Sequence, residues 1–229
     1  MKLTILGKYG PYPQGKNGAC SGYLIRQGDT KILVDCGTGV LGRLMEICDL
    51  KTISAIYLTH LHFDHTSDLL PMRYLLDDLN HTLKVYTHLE DTPWAKTLLE
   101  HKRFEVHHVD ENTNLQIGEL KLEFYKMQHP VTNHGVLITG NKRLGITGDT
   151  VFCDNVLRLA SKSDYLLADC SKPIGFKGPH MSADKALEIV DKTGVKILAT
   201  HVTPYQSPDE FFNGNDAIIA VEELKTYNL

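Results

Sequence analysis

Short apolar, β-branched segments alternate along the chain with amphipathic segments, and Gly, Pro, Asn or Asp separates many of them. The short segments have the length and composition of strands, whereas the amphipathic ones place apolar residues at helical spacing. The predicted strands are Lys2–Leu6, Ser21–Gln27, Lys31–Val34, Ile53–Thr59, Leu83–Thr87, Phe104–Val109, Leu115–Ile117, Leu120–Met127, Gly135–Gly140, Arg143–Ile146, Tyr165–Ala168 and Val195–Thr200. The predicted helices are Val40–Cys48, Ser67–Leu79, Asp91–His101, Val156–Lys162, Ala183–Thr193 and Asn215–Tyr227. This mixture predicts an α/β fold.

Six predicted strands end in a side chain that can bind a metal or act as a carboxylate: Asp35, His60, His129, Asp149, Asp169 and His201. In open α/β sheets, sites are built at such strand ends. Turns use Asp freely but have no preference for His, so His129 and His201 are the informative members. Asp35 has two interpretations, a residue beside the site or a plain turn-forming aspartate. The pattern indicates one site at one edge of the sheet.

The densest group is Thr59–His65, in which three histidines and one aspartate fall within six positions after a predicted strand. His60 and His62 are two residues apart, so in an extended segment they point the same way. Asp64 and His65 follow where the chain must turn, and they can reach a second point nearby. A chance match to this run has odds of roughly two in a thousand. This one turn can therefore supply ligands to two metal ions, and the ligands suit zinc, with manganese and iron as alternatives.

Length and composition narrow the class of protein. The 229 residues predict one large domain over residues 1–229, or two fused halves that share one core. The net charge is −4 and no basic block marks a nucleic-acid groove. No apolar run approaches the roughly 20 residues of a membrane span. The first strand is too short and alternating to be a signal peptide, and five cysteines without a CxxC pair favour reduced thiols, so a cytoplasmic protein is expected.

The His-x-His-x-Asp-His run is the signature of the metallo-β-lactamase superfamily, and the sequence resembles that superfamily over nearly its whole length. The resemblance implies a four-layer αββα sandwich with two mixed β-sheets and a metal site at one edge. It also implies two divalent metal ions, most simply Zn²⁺. The first would be held by His60, His62 and His129, and the second by Asp64, His65 and His201. Asp149 would bridge the two ions together with a water or hydroxide.

A second motif, Pro179-His180-Met181-Ser182-Ala183, resembles the ribonuclease Z and phosphodiesterase branch of this superfamily. In that branch a histidine protonates the leaving oxygen and a carboxylate orients the histidine. The implied general acid is His180. Asp169 stands where the branch usually has Glu, and because Asp is one methylene shorter, its pairing with His180 is left open. The expected catalytic residues are Asp64, His180 and Asp169.

The expected substrate is a small anion. Two divalent ions with Asp64, Asp149 and one hydroxide leave a formal charge of about +1, which favours a phosphate ester. Lys172 and Lys177 are interpreted as ordinary solvated lysines rather than as part of this field. The loop from Lys8 to Gly18 is either a plain surface loop or a rim that faces the substrate.

The favoured function is a dinuclear phosphodiesterase acting on small phosphodiesters, such as cyclic nucleotides or short oligonucleotides. The alternative is a carbonyl-ester hydrolase of the lactonase, thioesterase or β-lactamase type. The long basic arm with which ribonuclease Z grips tRNA is not found in the sequence, so tRNA processing is not expected. An iron redox enzyme is disfavoured because such relatives place Glu at the position of His62. A complete ligand set argues against a non-catalytic module, and a homodimer is left open.

Overall fold

The structure is a computed structural model that describes residues 1–203, 209–212 and 214–229. Its strands are β1 Lys2–Gly7, β2 Gly22–Gln27, β3 Thr30–Val34, β4 Ala55–Tyr57, β5 Leu83–Thr87, β6 Phe104–His108, β7 Asn114–Ile117, β8 Leu120–Lys126, β9 His134–Thr139, β10 Arg143–Ile146, β11 Tyr165–Asp169, β12 Lys196–Thr200, β13 Ile218–Ala220 and β14 Thr226–Asn228. Its α-helices are α1 Val40–Ile47, α2 Phe63–Thr66, α3 Leu69–Asp78, α4 Pro93–Leu99, α5 Asp154–Lys162, α6 Ala183–Thr193 and α7 Asp209–Phe212. The run Thr203-Pro204-Tyr205 after β12 predicts the end of regular structure, and Pro204 and Tyr205 lie outside the described residues.

The strands form two seven-stranded sheets, in the orders β14-β1-β2-β3-β4-β5-β6 and β13-β12-β11-β10-β9-β8-β7. In the first sheet the pairs from β14 to β3 are antiparallel and those from β3 to β6 are parallel. The second sheet repeats this arrangement, with antiparallel pairs from β7 to β10 and parallel pairs from β10 to β13. Both sheets are mixed, as predicted.

Three apolar clusters define four layers. The central cluster joins the facing sides of the two sheets, for example Ile5 and Ile25 with Phe124 and Val136. A second cluster packs α1, α3 and α4 on the outer side of the first sheet. A third packs α5 and α6 on the outer side of the second. This is the predicted αββα sandwich.

Central strands such as β3 and β9 are buried along nearly their whole length because both faces of each sheet are covered there. Along β3, Ile32 and Val34 point into the central cluster, whereas Leu33 points toward the helices. All three residues are fully buried. A sheet with one solvated face would instead show alternating polar residues.

The helix predicted over Asn215–Tyr227 is wrong. This segment contains β13, which pairs in parallel with β12, and the first two residues of β14, which pairs antiparallel with β1. Without them, β12 and β1 would be edge strands with unpaired backbone N–H and C=O groups. Three-residue strands have little periodicity of their own, so pairing partners far away in the sequence decide their structure.

Strand direction brings the predicted site residues to one place in each sheet. In the first sheet β3 and β4 are parallel, and Asp35 and His60 follow their carboxyl ends. In the second sheet β8, β10, β11 and β12 all point the same way, because β8 and β10 are both antiparallel to β9. His129, Asp149 and His201 follow three of these strands and Asp169 ends the fourth. Among the described residues, no helix has the length and apolar character needed to span a bilayer.

Candidate metal centre

All the predicted metal ligands, together with His180 and Asp169, lie in three overlapping groups, and within each group the possible ligand atoms are within 4.8 Å of one another. Asp149, with 2% of its surface exposed, is common to all three. The first group is His60, His62, His129 and Asp149; the second is Asp64, His65, Asp149 and His201; the third is Asp149, Asp169, His180 and His201. The structure therefore brings together side chains from position 60 to position 201.

In the first group, three imidazole nitrogens converge. His62 Nδ1 lies 3.1 Å from His60 Nε2 and 3.3 Å from His129 Nε2. A neutral imidazole carries one N–H, so three facing nitrogens cannot all be satisfied by hydrogen bonds to each other. Burial, together with the charge of His65, holds the pKa of His60 well below its usual value. The ring is therefore neutral, which is the form that binds a divalent metal.

In the second group, Asp149 faces two histidines with different oxygens. Its Oδ1 lies 3.2 Å from His65 Nε2, and its Oδ2 lies 3.1 Å from His201 Nε2. Asp64 Oδ2 lies 3.3 Å from the same His201 nitrogen. Burial alone would raise the pKa of Asp149, but His201 and His65 hold that pKa well below its usual range. The carboxylate at the centre is therefore ionised.

Two atoms of this group test whether a metal fits. His65 Nε2 and Asp149 Oδ1 are buried and make no aligned hydrogen bond within the described part of the chain, although they are only 3.2 Å apart. Buried polar atoms almost always have a partner. Imidazole and carboxylate donors of this kind are the ligands that zinc, manganese and iron accept. The residues fit a divalent metal.

The far sides of the rings are held by the protein. His65 Nδ1 lies 2.8 Å from Asp35 Oδ2, and His129 Nδ1 lies 3.2 Å from the Pro179 carbonyl oxygen. Thr59 Oγ1 donates to Asp35 and also lies 3.1 Å from His60 Nδ1. Such contacts fix which nitrogen of each ring faces the ligand cluster. Asp35 thus lies beside the site, which decides between its two interpretations.

The backbone at the site is also unusual. Asp35 has φ 58° and His201 has φ 57°, both in the left-handed region that side chains other than Gly rarely adopt. Gly10 packs so closely on the His201 ring that a Cβ there would lie 2.0 Å from Nε2. Strained residues and close approach of this kind persist only where the surroundings enforce them. The loop from Lys8 to Gly18 therefore lies against the site, and its Pro11 lines the cleft.

His180 and Asp169 form a pair beside the ligand cluster. His180 Nδ1 lies 2.8 Å from Asp169 Oδ2, and the same oxygen accepts a 3.1 Å hydrogen bond from Thr150 N. The His180 ring stacks on that of His201 with centroids 4.8 Å apart. The shorter Asp side chain therefore does reach His180, which answers the question left open by the sequence.

A cleft of about 280 Å³ opens over these groups. Six predicted site residues line it: His62, Asp64, His129, Asp149, His180 and His201. The remaining lining is apolar. The cleft therefore has a polar, ligand-bearing floor.

Comparison with known proteins agrees with this geometry. The model of the β-lactamase superfamily domain matches residues 30–201, which include every predicted site residue. The chain belongs to this family. The probable metallo-hydrolase YhfI of Bacillus subtilis (strain 168) is 30% identical over 213 residues, covering 88% of this chain and 87% of YhfI. The family match and the similarity to YhfI support a metal-dependent hydrolase, and the clustered His and Asp groups fit divalent ions.

Solved structures of the family show the same fold. The crystal structure of YhfI matches with a TM-score of 0.91 and 27% identity, over 99% of this chain and 98% of YhfI. The short form of human tRNase Z matches with a TM-score of 0.80 and 18% identity, over 100% of this chain and 99% of that one. A diphosphatase of the PhnP family matches with a TM-score of 0.78 and 16% identity, over 100% and 97%. The ribonuclease Z of Methanopyrus kandleri is 32% identical over 131 residues, covering 56% of this chain and 47% of that protein, so the predicted resemblance to ribonuclease Z is confirmed in sequence.

One interpretation of the sequence is wrong. Lys172 is not solvated: it is 7% exposed, and its Nζ donates a hydrogen bond to Thr203 Oγ1. Burial lowers the pKa of Lys172, while the nearby carboxylate of Asp169 opposes this shift. Lys177, by contrast, is exposed as expected. A loop rich in Gly and Pro gave no signal that would separate the two lysines.

Sequence reasoning also missed three supporting residues. Thr59, the Pro179 carbonyl and the Thr150 N–H orient site residues through contacts that no residue type or spacing indicates. Phe63 was passed over as an apolar residue inside the motif, yet 64% of its surface is exposed at the cleft. An apolar residue is ordinarily expected to be buried, so the sequence carried no signal for the exposure of Phe63.

Proposed function

We propose that this protein is a dinuclear metal-dependent phosphodiesterase that acts on small phosphodiesters or short oligonucleotides. The residues that would hold the first ion are His60, His62 and His129, and those for the second are Asp64, His65 and His201, with Asp149 shared. The support is the division of ligand atoms into two groups that meet at Asp149. Zinc suits these ligands best, with manganese and iron as alternatives.

When bound, two divalent ions would supply a nucleophilic water near neutral pH and would offset negative charge on a phosphate. The chain's own residues do the rest. Asp149 and Asp64 reduce the formal charge of the site to about +1, so that an anionic ester is favoured without being held too tightly. Lys172 adds a buried cation behind Asp169, which strengthens that preference.

The observation that carries the proposal is the 2.8 Å contact between His180 Nδ1 and Asp169 Oδ2. With Nδ1 held by a carboxylate, the Nε2–H of the imidazolium is the proton available to the cleft that His180 lines. We assign this proton to the leaving oxygen of the ester, with His180 as general acid and Asp169 as the residue that positions it. Asp169 is itself fixed by the Thr150 N–H.

The proposed substrate is small. The cleft of about 280 Å³ lies just below the range for ligand pockets, which is roughly 300–1,000 Å³. Within the described residues, the chain between successive ligand residues forms the strands of the two sheets and the helices that pack on them, which leaves no segment for a long basic arm. The names of the human tRNase Z and the diphosphatase both refer to phosphate chemistry, which supports a phosphate ester here.

Two measurements test the proposal. Purified protein should contain about two metal ions per chain, and Asp149→Ala should lose most of them, because Asp149 faces both groups. His107→Ala, which changes a histidine away from the cleft, is the matched control and should keep both ions. A value near zero in wild type and in Asp149→Ala would remove the dinuclear site.

The reaction class is tested by a substrate panel with zinc and manganese compared side by side. We expect cleavage of bis(p-nitrophenyl) phosphate and little turnover of lactones or thioesters. Because His180 protonates a leaving oxygen, His180→Ala should slow esters with poor leaving groups far more than activated esters. Turnover of lactones alone would replace this proposal with a carbonyl-ester hydrolase.

A further inference from the structure

The walls of the cleft have a different character from its floor. Phe63, Pro11, Pro130 and Pro179 line the cleft and are exposed, so we call them its walls, whereas the ligand residues that line it are buried or half-buried and form its floor. The four apolar residues come from separate segments: the loop after β1, the start of α2, the segment after β8 and the loop after β11. Three of the four are prolines, whose rings are rigid and whose nitrogens carry no hydrogen to donate. The walls therefore offer apolar surfaces and few polar contacts.

Phe63 is the residue that stands out. It lies between His62 and Asp64, the side chains of which face the ligand cluster, and it begins the short helix α2. Yet Phe63 keeps 64% of its surface exposed, so its ring does not serve the core. Lying within the ligand run, it is also held close to the place where a reacting ester would be bound. An exposed aromatic ring at this position is a binding surface rather than a packing residue.

We propose that Phe63 and the three prolines of the cleft form a subsite for a nucleobase, so that the enzyme selects phosphoesters that carry a base next to the scissile bond. This subsite rests on the proposed phosphodiesterase function. The polar floor takes the phosphate and the exposed ring of Phe63 takes a planar group that stacks on it. The volume of about 280 Å³ suits one nucleotide unit rather than a long strand. Stacking accepts any base, so the subsite selects nucleotides without selecting a sequence.

The test compares two ligands that differ only in the base: thymidine 5′-monophosphate and 2-deoxyribose 5-phosphate. Their dissociation constants are measured by calorimetry on zinc-loaded protein. Wild type should bind the nucleotide about 5- to 150-fold more tightly, which is the range for stacking one base on an aromatic ring. Phe63→Ala should lose most of this preference while its affinity for 2-deoxyribose 5-phosphate changes by less than about twofold. Phe63→Trp should keep the preference because it keeps an aromatic ring.

Two controls separate the subsite from general damage. Tyr74→Ala removes a comparably exposed aromatic residue, 76% exposed on α3 and absent from the cleft lining, and should leave both affinities unchanged. The metal content of Phe63→Ala should equal that of wild type, which shows that the neighbouring ligands are intact.

Three outcomes would overturn the inference. Wild type could show no preference for the nucleotide, Phe63→Ala could keep the full preference, or Phe63→Ala could weaken both ligands equally with normal metal content. A failure of the proposed function looks different: neither phosphate binds the zinc-loaded protein, and lactones are turned over instead. Cleavage of bis(p-nitrophenyl) phosphate without any preference for the nucleotide would leave the proposed function standing and remove the subsite alone.

Discussion

Replacing Asp169 by Asn tests the general-acid pair with a change of one group. Asp169 Oδ2 lies 2.8 Å from His180 Nδ1 and accepts from Thr150 N at 3.1 Å. Asn keeps the size of the side chain, and its carbonyl oxygen in the Oδ2 position can still accept from both Thr150 N and His180 Nδ1. Its NH₂ group then takes the position of Oδ1, so the substitution removes the negative charge beside His180 and keeps the hydrogen bond. The imidazolium that donates the proton loses its charged partner.

The size of the effect follows from the contact. Asp169 is 1% exposed and the His180 side chain is 18% exposed, so water screens the interaction only slightly. A hydrogen bond to a charged group is worth about 1.5–3 kcal/mol and a neutral one about 0.5–1.5 kcal/mol, so the loss of charge costs about 1–1.5 kcal/mol, or about 5- to 13-fold in rate. This is a part of the factor of about 10²–10⁴ that general acid catalysis supplies as a whole. We therefore expect kcat to fall by about 5- to 13-fold for an ester whose leaving alcohol is a weak acid.

The assay compares two phosphodiesters that share one alcohol and differ in the leaving group, one aliphatic and one 4-nitrophenyl. The 4-nitrophenolate leaves without needing a proton, so Asp169→Asn should change its kcat by less than about threefold. Asp164→Asn alters a carboxylate paired with Arg143 at 2.6 Å, away from the cleft, and should change neither rate. Equal slowing of both substrates with intact metal content would refute the pairing of Asp169 with a proton donor.

Three further predictions concern the surroundings of the ligands. In Gly10→Ala the new Cβ would lie 2.0 Å from His201 Nε2, so the ring must move. We therefore expect loss of metal from the second group and at least about a 100-fold fall in activity. Gly42→Ala, where nothing lies within 4 Å of the new Cβ, should keep both the metal and the activity. In metal-free protein, burial alone would lower the pKa of His201, but Asp149 and Asp169 raise that pKa to about 10. The protonated ring therefore stabilises the fold fully below its ordinary pKa of 6.5, and this stabilisation is lost as the pH approaches 10. The melting temperature measured in chelator should fall over this range. Zinc-loaded protein should not lose stability over this range, because the ions need deprotonated rings, and a parallel fall in both forms would contradict the assignment. Lys172→Met should raise KM for an anionic diester severalfold through loss of the buried cation, while Lys177→Met, at an exposed position of the same loop, should leave KM unchanged.

Much of the site was predictable because strand ends were predictable. The apolar segments before His60, Asp149 and His201 are short, and each stops abruptly at a polar residue. In parallel strands of one sheet such ends share an edge, so a one-dimensional pattern specifies a three-dimensional cluster. Both sheets have the same order of antiparallel and parallel strands, so parallel strand ends meet at one edge in each sheet. In the first sheet these are the ends of β3 and β4, and in the second those of β10, β11 and β12.

What the sequence did not reveal depends on contacts between distant segments. The C-terminal strands β13 and β14 form because β12 and β1 offer them partners, which no local propensity records. The burial of Lys172 results from its position between the end of β11 and Thr203, far away in the chain. The pairing of Asp169 with His180 was open because side-chain reach depends on how the loop after β11 returns to the sheet, and only the structure gives the 2.8 Å distance.

The distribution of ligands over the two sheets links folding to metal binding. His60, His62, Asp64 and His65 follow the first sheet, whereas His129, Asp149 and His201 follow the second. The contacts of Asp149 with His65 and of Asp64 with His201 therefore cross from one sheet to the other. Without metal, His65 Nε2 and Asp149 Oδ1 are buried and have no hydrogen-bond partner among the described residues. Leaving such atoms unpaired costs folding free energy. Any ion that satisfies both sets of ligands lowers that cost and at the same time ties the two sheets together, so metal binding free energy is also free energy of folding.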